Sequence, residues 1–166
     1  NIMAVDAWKN VPNATSVEMF CGGNPEYCPR NILRYTPTWS IEGLINEYTD
    51  KCKVIKEGEI QSISPLINCK TYNTVMESFP TSGATTQSLE FFLNAKVKTF
   101  TYETIRYQGH SLAVREILHK LGKEALERIL IETEDNPRLS WEQLHHQCFA
   151  DQVEAKVVVK NDNGVT

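Results

Sequence analysis

Two side chains close together in the sequence have the chemistry of a site for a charged small molecule. Arg106 lies near the end of residues 97–107, which are rich in Val, Thr, Phe and Tyr and form the strongest predicted strand. A guanidinium can hold a carboxylate through two parallel hydrogen bonds, or it can form a structural ion pair. His110 lies near the start of the next predicted helix, whose positive end favours a neutral imidazole. That ring could accept a proton, or it could be a capping or supporting histidine.

The first half of the chain supplies predicted elements to position these residues. Residues 16–21 alternate between apolar and polar side chains, which predicts a strand ending at Gly22 and Gly23. Ser40 is a predicted N-cap for a helix that runs through Tyr48. Two further short strands, predicted to form a hairpin over 52–63, and several loops follow, so strands dominate this half.

The second half predicts a helical cluster between strands, since Val114, Ile117, Leu118 and Leu121 recur at helical spacing. The remaining predicted elements are a starting helix over 2–8, a hairpin over 52–63, a helix around 124–130, a short helix opened by Ser140, a strand over 153–160, and a hairpin turn at Asn163 and Gly164 whose return strand is missing. The large side chains expected in the core are Trp39, Phe91 and Phe92. This order predicts an α+β fold, with a mixed, largely antiparallel sheet and helices packed on one face.

The composition limits the classes of function. The 166 residues include 17 Lys and Arg and 21 Asp and Glu, giving a net charge of -4. We therefore expect one domain over residues 1–166 and no nucleic-acid partner. No run of about 18 apolar residues exists, so we expect no membrane span. The five cysteines are odd in number and lack a C-x-x-C pair, which favours reduced thiols and a cytoplasmic location.

A group of potential metal ligands lies near the end of the chain. His145, His146 and Cys148 fall on the short helix predicted after Ser140. Adjacent helical residues point about 100° apart, and no second ligand pair has suitable spacing. We therefore expect no metal site.

Three segments together resemble the saccharopine dehydrogenase family, particularly its lysine 6-dehydrogenase-like branch. Residues 21–25 read C-G-G-N-P, similar to the family's C-G-G-L-P. Residues 39–48 read W-S-I-E-G-L-I-N-E-Y, similar to W-S-x-E-G-L-I-x-E-Y. Residues 104–110 read T-I-R-Y-Q-G-H, similar to T-L-R-Y-P-G-H. The hairpin at 54–60 and a T-S-G loop at 81–83 also resemble the family in order and approximate spacing.

The resemblance implies a domain organisation and a set of partners. In this family a dinucleotide-binding region precedes a domain of this kind, and a last segment returns to complete the nucleotide fold. The chain then corresponds to a substrate-binding and dimerisation domain between the two parts of a Rossmann domain. The implied partners are a small amino-acid substrate, NAD or NADP held mainly by that other domain, and a second copy in a homodimer. No glycine-rich dinucleotide fingerprint occurs in the chain itself.

The resemblance also implies roles for individual residues. Arg106 would hold the substrate α-carboxylate, with Tyr107 beside it, although Tyr107 alternates to the other face of the strand. Ser82 and Gly83 would offer hydroxyl and backbone donors to a substrate carboxylate. His110 would be the catalytic residue. Plain structural roles remain the alternatives: a surface turn for the loop and a supporting position for the histidine.

Two further assignments concern the substrate amine and the cofactor. Glu42 stands where saccharopine-type members have an arginine, and it would pair with a cationic substrate amine, as in the lysine 6-dehydrogenase branch. A helix-start glutamate facing water is the alternative. Cys21, Gly22 and Gly23 would face the cofactor, and small residues at a strand end are the alternative.

The implied function is oxidation of a CH-NH or CH-NH2 group of lysine or a related amino acid by an NAD(P)-dependent enzyme. The fragment alone is expected to be inactive. Ala84 and Gln108 depart from the family's glycine and proline. A non-catalytic small-molecule-binding or dimerisation module that kept the fold therefore stays open as the alternative.

Overall fold

Eight strands and five helices are interspersed along the described part of the chain. A computed structural model describes residues 2–37, 39–134 and 151–165. The strands are β1 (Ala14–Pro25), β2 (Cys52–Lys56), β3 (Glu59–Ile63), β4 (Lys70–Thr71), β5 (Met76–Pro80), β6 (Thr99–Tyr107), β7 (Asp151–Asn161) and β8 (Gly164–Val165). The helices are α1 (Ile2–Lys9), α2 (Ile41–Thr49), α3 (Thr86–Asn94), α4 (His110–Leu121) and α5 (Lys123–Glu134).

The strands form one mixed sheet in which β6 is central. The order is β3-β2-β6-β1-β7-β8, and β5 pairs with β6 and carries β4 on its other side. β1 and β6 run parallel, whereas all the other described pairs are antiparallel. The predicted mixed, largely antiparallel α+β fold is confirmed.

Alternation along β6 separates the two faces of the sheet. Phe100 and Tyr102 belong to the apolar cluster beneath α1 and α3, and Arg106 contacts α2. Ile105 and Tyr107 belong to a small cluster on the opposite face. The helices therefore cover one face, and α2, α4 and α5 share a second core there. None of the described helices has the length and apolar character needed to cross a membrane.

Most of the predicted elements are present, with three differences. The strand predicted to end at Gly22 instead continues to Pro25, because β7 pairs along its whole length. β4, β5 and α3 were not predicted. The turn at Asn163 leads into β8, two residues that pair back onto β7. The helix predicted after Ser140 and the candidate metal ligands lie outside the described residues.

A buried carboxylate shapes the corner between β6 and α4. Gly109 is the N-cap of α4 with φ 93°, a left-handed conformation that suits glycine, and it has no side chain to cap the helix. Glu77 of β5 supplies the missing acceptor: its two oxygens accept from the backbone N–H of Gly109 at 2.9 Å and of Ser111 at 2.7 Å. The carboxylate also complements the positive end of the helix. Glu77 therefore fixes where His110 begins its helix.

We expect Glu77→Gln to lower the free energy of unfolding by about 1–3 kcal/mol. The amide NH2 group would face one of the two buried backbone N–H donors, and it cannot accept a hydrogen bond from it. Urea denaturation followed by circular dichroism measures the change. Glu90→Gln, at an exposed position of α3, is the matched control and should stay within about 0.5 kcal/mol of the parent. Equal stability of the two variants would contradict this account of the corner.

Candidate functional site

A cleft opens on the helix-covered face where the carboxyl ends of the parallel strands β1 and β6 lie side by side. Its volume is about 420 Å³, within the usual range for small-molecule sites. The lining residues are Cys21, Gly22, Gly23, Trp39, Glu47, Tyr102, Thr104, Arg106 and Val153. A second cavity of about 400 Å³ lies between α1 and α3. The first cleft is the stronger candidate because it contains a buried charge.

That charge belongs to Arg106, which is only 2% exposed. Its Nε–H donates to the Tyr48 hydroxyl at 3.2 Å, and Nη1 donates to the Ile105 carbonyl at 2.8 Å. The guanidinium carbon lies 4.7 Å from the centre of the Tyr35 ring, a cation–π distance. None of the ion pairs among the described residues involves Arg106. The cleft therefore contains a cation that its hydrogen-bond partners orient and that no described carboxylate meets at ion-pair distance.

A hydrogen-bond chain of fixed direction holds this guanidinium. Because an arginine N–H can only donate, the Tyr48 oxygen accepts from Arg106, and its O–H is free to donate to His110 Nε2 at 2.8 Å. His110 Nδ1–H then donates to the Leu33 carbonyl at 2.7 Å, since a carbonyl can only accept. Every group in the chain has one compatible role, and His110 is the neutral Nδ1–H tautomer.

His110 lies beneath the cleft, not in it. The residue has no exposed surface, and both ring nitrogens are used. Burial, with the Arg106 charge as a smaller contribution, lowers the pKa of His110 to about 3. The ring is therefore neutral at physiological pH, and its contact with the cleft passes through Tyr48 and Arg106.

The predicted residues of the loop after β5 support the cleft from behind. The Ser82 N–H donates to the Glu47 carbonyl at 3.2 Å, and the Ser82 hydroxyl contacts the Asn46 carbonyl at 3.4 Å. Gly83 packs against Tyr102 so closely that a Cβ would lie 2.3 Å from the ring. These contacts position α2 and the Tyr102 ring, and neither loop residue lines the cleft itself.

Glu47 and Tyr102 are cleft residues that the sequence did not reveal. Burial raises the pKa of Glu47 above its usual value, and the nearby Arg106 charge partly opposes this shift. Burial also raises the pKa of Tyr102, whose hydroxyl interacts with Cys21, Glu47 and Arg106. The two side chains thus share one electrostatic environment with the guanidinium. Glu47 sits beside Tyr48 in the W-S-I-E-G-L-I-N-E-Y segment, and that adjacency was the available signal.

Trp39 was expected in the core, and this was wrong. The side chain is 40% exposed and lines the cleft. Its Nε1–H donates to the Tyr35 hydroxyl at 3.2 Å. A Cβ on Gly43 would lie 2.8 Å from the ring, so this glycine lets the indole rest against α2. Trp39 and the largely exposed Val153 give the mouth of the cleft an apolar rim.

Two predicted substrate-binding residues lie elsewhere. Glu42 is in the first turn of α2 at an exposed position, and it does not line the cleft. Tyr107 points to the opposite face of the sheet from Arg106, as strand alternation requires. Its hydroxyl donates to the carbonyls of Pro25 and Glu26 at 2.9 and 3.0 Å. Tyr107 thereby secures the segment that follows β1.

The predicted cofactor-facing residues Cys21, Gly22 and Gly23 do lie in the cleft, at the end of β1. A Cβ on Gly22 would come within 2.5 Å of the Ile105 carbonyl oxygen, so close strand packing accounts for this glycine. Gly23 has open space before it. Gly22 and Gly23 lie within the extended strand β1, unlike the glycines of a phosphate-binding turn that precedes a helix. Among the described residues, no cluster of three or more His, Cys, Asp and Glu side chains could hold a metal ion.

Comparison with known proteins agrees with this fold. The structure of apo histidine-tagged saccharopine dehydrogenase (L-Glu forming) from Saccharomyces cerevisiae superposes with a TM-score of 0.51 at 17% sequence identity. The match covers 87% of this chain and 40% of that chain, so this chain spans less than half the length of the yeast enzyme. At this identity the likeness concerns the fold.

The sequence comparison identifies the family. Residues 1–158, nearly the whole chain, match the saccharopine dehydrogenase C-terminal domain. The family is named after a dehydrogenase, which relates the domain to oxidoreductases. The fold agrees with that match, and the chain belongs to the saccharopine dehydrogenase C-terminal domain family.

Proposed function

We propose that this chain is the substrate-binding domain of an NAD(P)-dependent oxidoreductase that acts on the CH-NH or CH-NH2 group of lysine or a related amino acid. In this proposal Arg106 holds a substrate carboxylate in the cleft. A nicotinamide cofactor, bound by a separate nucleotide-binding domain, would supply the hydride acceptor for the carbon that bears the nitrogen. Cys21 and Gly23 lie at the open end of the cleft, where such a domain could approach.

The buried guanidinium, which has no directly bonded carboxylate among the described residues, is the observation that carries the proposal. Removing a cation from water costs several kcal/mol unless an anion or strong hydrogen bonds replace the water. Tyr48 and Tyr35 orient Arg106, but no described carboxylate forms an ion pair with it. A ligand carboxylate would supply a direct ionic partner through two parallel hydrogen bonds.

His110 has a positioning role in this proposal. Nε2 of its buried ring accepts a hydrogen bond from the Tyr48 hydroxyl, and Nδ1–H donates to the Leu33 carbonyl. No atom of the ring is available to a substrate in the cleft. His110 therefore acts by directing the Tyr48 oxygen toward Arg106.

We expect Arg106→Met to abolish carboxylate binding while preserving the fold. The Ile105 carbonyl keeps the Asn24 amide as a donor, and Tyr48 keeps its bond to His110. The variant should lie within about 1 kcal/mol of the parent in unfolding free energy, or above it, because a buried unpaired charge is removed. Two charge-assisted hydrogen bonds correspond to a loss of affinity of about 100-fold or more.

The measurement combines urea denaturation with kinetics of the enzyme expressed from the complete reading frame. Nicotinamide reduction in the presence of amino-acid substrates should require Arg106. Arg115→Met, at an exposed position of α4, is the matched control and should retain kcat/KM. A variant that loses several kcal/mol of stability but binds the substrate normally would indicate a structural arginine. A purified full-length protein that reduces neither nicotinamide cofactor would favour the non-catalytic module.

We expect His110 to make stability depend on pH. Its folded pKa of about 3 lies below the unfolded value near 6.5. The unfolded state therefore binds more protons, and the stabilisation present above about pH 6.5 is lost as the pH falls toward 3. The slope reaches at most about 1.4 kcal/mol per pH unit. His110→Gln should be less stable at pH 7 and lack this contribution to the slope.

The difference in unfolding free energy between parent and His110→Gln, measured from pH 7 to pH 5, isolates the histidine because all other groups are shared. His119→Gln is the control, since His119 is exposed at the end of α4. It should keep the parent's slope. An unchanged slope in His110→Gln would mean that the ring is accessible and titrates normally.

A homodimer remains a prediction from the family resemblance. In the described sheet, β3 forms an edge whose residues are mostly exposed, and an unpaired edge can accept another strand. Multi-angle light scattering across a concentration series should give twice the chain mass of 18.9 kDa. A constant monomer mass at high concentration would contradict the prediction.

A further inference from the structure

Glu47 faces the same cleft as Arg106 and comes from the helix that orients it. Leu44, Glu47 and Tyr48 are spaced three and four residues apart, so they share one side of α2. Leu44 and Tyr48 are buried in the core, and Tyr48 bonds Arg106. Glu47 lines the cleft beside them and interacts electrostatically with the guanidinium.

The Glu47 carboxylate is available to a ligand. Other shielded carboxylates of the chain are engaged: Glu77 caps α4, Glu103 bonds Lys70 and Ser78, and Glu18 bonds Lys160. In the described part of the chain, the Glu47 carboxylate has no hydrogen bond and no ion pair. A partly buried carboxylate without such partners can accept hydrogen bonds from a ligand in place of water.

The walls of the cleft, which are partly shielded from water, therefore carry one cation, Arg106, and one anion, Glu47. An α-amino acid carries the complementary pair, a carboxylate and an adjacent ammonium. We propose that Glu47 accepts hydrogen bonds from the ammonium of the substrate and selects amino acids over the corresponding carboxylic acids. This inference rests on the proposed function, which places the carboxylate on Arg106. It assigns the amine to Glu47 and not to Glu42, which lies on the exposed side of α2.

The test compares a matched pair of probes, L-norleucine and hexanoate, which differ only by the amino group. Nuclear magnetic resonance titrations of the chain should show norleucine binding about tenfold more tightly, since a charge-assisted hydrogen bond is worth that much. Glu47→Gln should bring the two affinities within about twofold by weakening norleucine alone. Glu47→Asp should recover part of the preference. Glu90→Gln, the exposed control on α3, should keep the tenfold ratio.

The outcomes separate this inference from the function on which it rests. If Arg106→Met loses both probes and the parent binds them equally, the carboxylate site stands and the role of Glu47 is overturned. If Glu42→Gln removes the preference while Glu47→Gln keeps it, the ammonium lies at Glu42 and the assignment is wrong. Equal loss of both probes in a folded Glu47→Gln variant would make Glu47 structural. If the parent binds neither probe, or if Arg106→Met binds hexanoate normally, the proposed function and this inference both fail.

Discussion

The guanidinium of Arg106 lies out of water without a carboxylate partner, and the architecture around the cleft is organised to hold it there. Its charge is supported by the Tyr48 oxygen, the Ile105 carbonyl and the face of the Tyr35 ring. Such neutral partners orient a cation but leave its net charge intact, so a site of this kind attracts an anion. A buried guanidinium without a directly bonded carboxylate would also weaken the fold, which is a common cost at functional sites.

The hydrogen-bond chain that starts at Arg106 joins segments far apart in the sequence. It runs from β6 to α2 through Tyr48, to α4 through His110, and to the loop before α2 through Leu33. Because each donor and acceptor has one compatible role, the chain admits a single arrangement of these segments. The geometry of the cleft therefore depends directly on how α2 and α4 pack against the sheet.

Sequence periodicity predicts the long elements well and fails where polar side chains are buried. β6, α2 and α4 have clear alternation, a side-chain cap or an apolar helical stripe, all of which are local signals. β5 has none, since Glu77 and Ser78 interrupt it, yet all five residues are buried. Glu77 is tolerated there because Gly109 and Ser111, more than thirty residues away, satisfy its oxygens. A pattern read along the chain does not contain such partners.

The sequence by itself determined that Arg106 and Tyr107 face opposite sides of a strand and that Glu42 and Glu47 lie on one short helix. At about 100° per residue, the two glutamates fall on opposite flanks of the apolar stripe of α2, about equally far from its centre. Periodicity therefore gives no reason to prefer either one. The tertiary structure decided the question, because the sheet and the loop at Ser82 pack so that one flank faces the cleft and the other faces water. The physical reason is that the apolar stripe of a helix shows which of its residues face the core. Only the neighbouring elements determine whether a residue on one flank of that stripe faces a cleft or water.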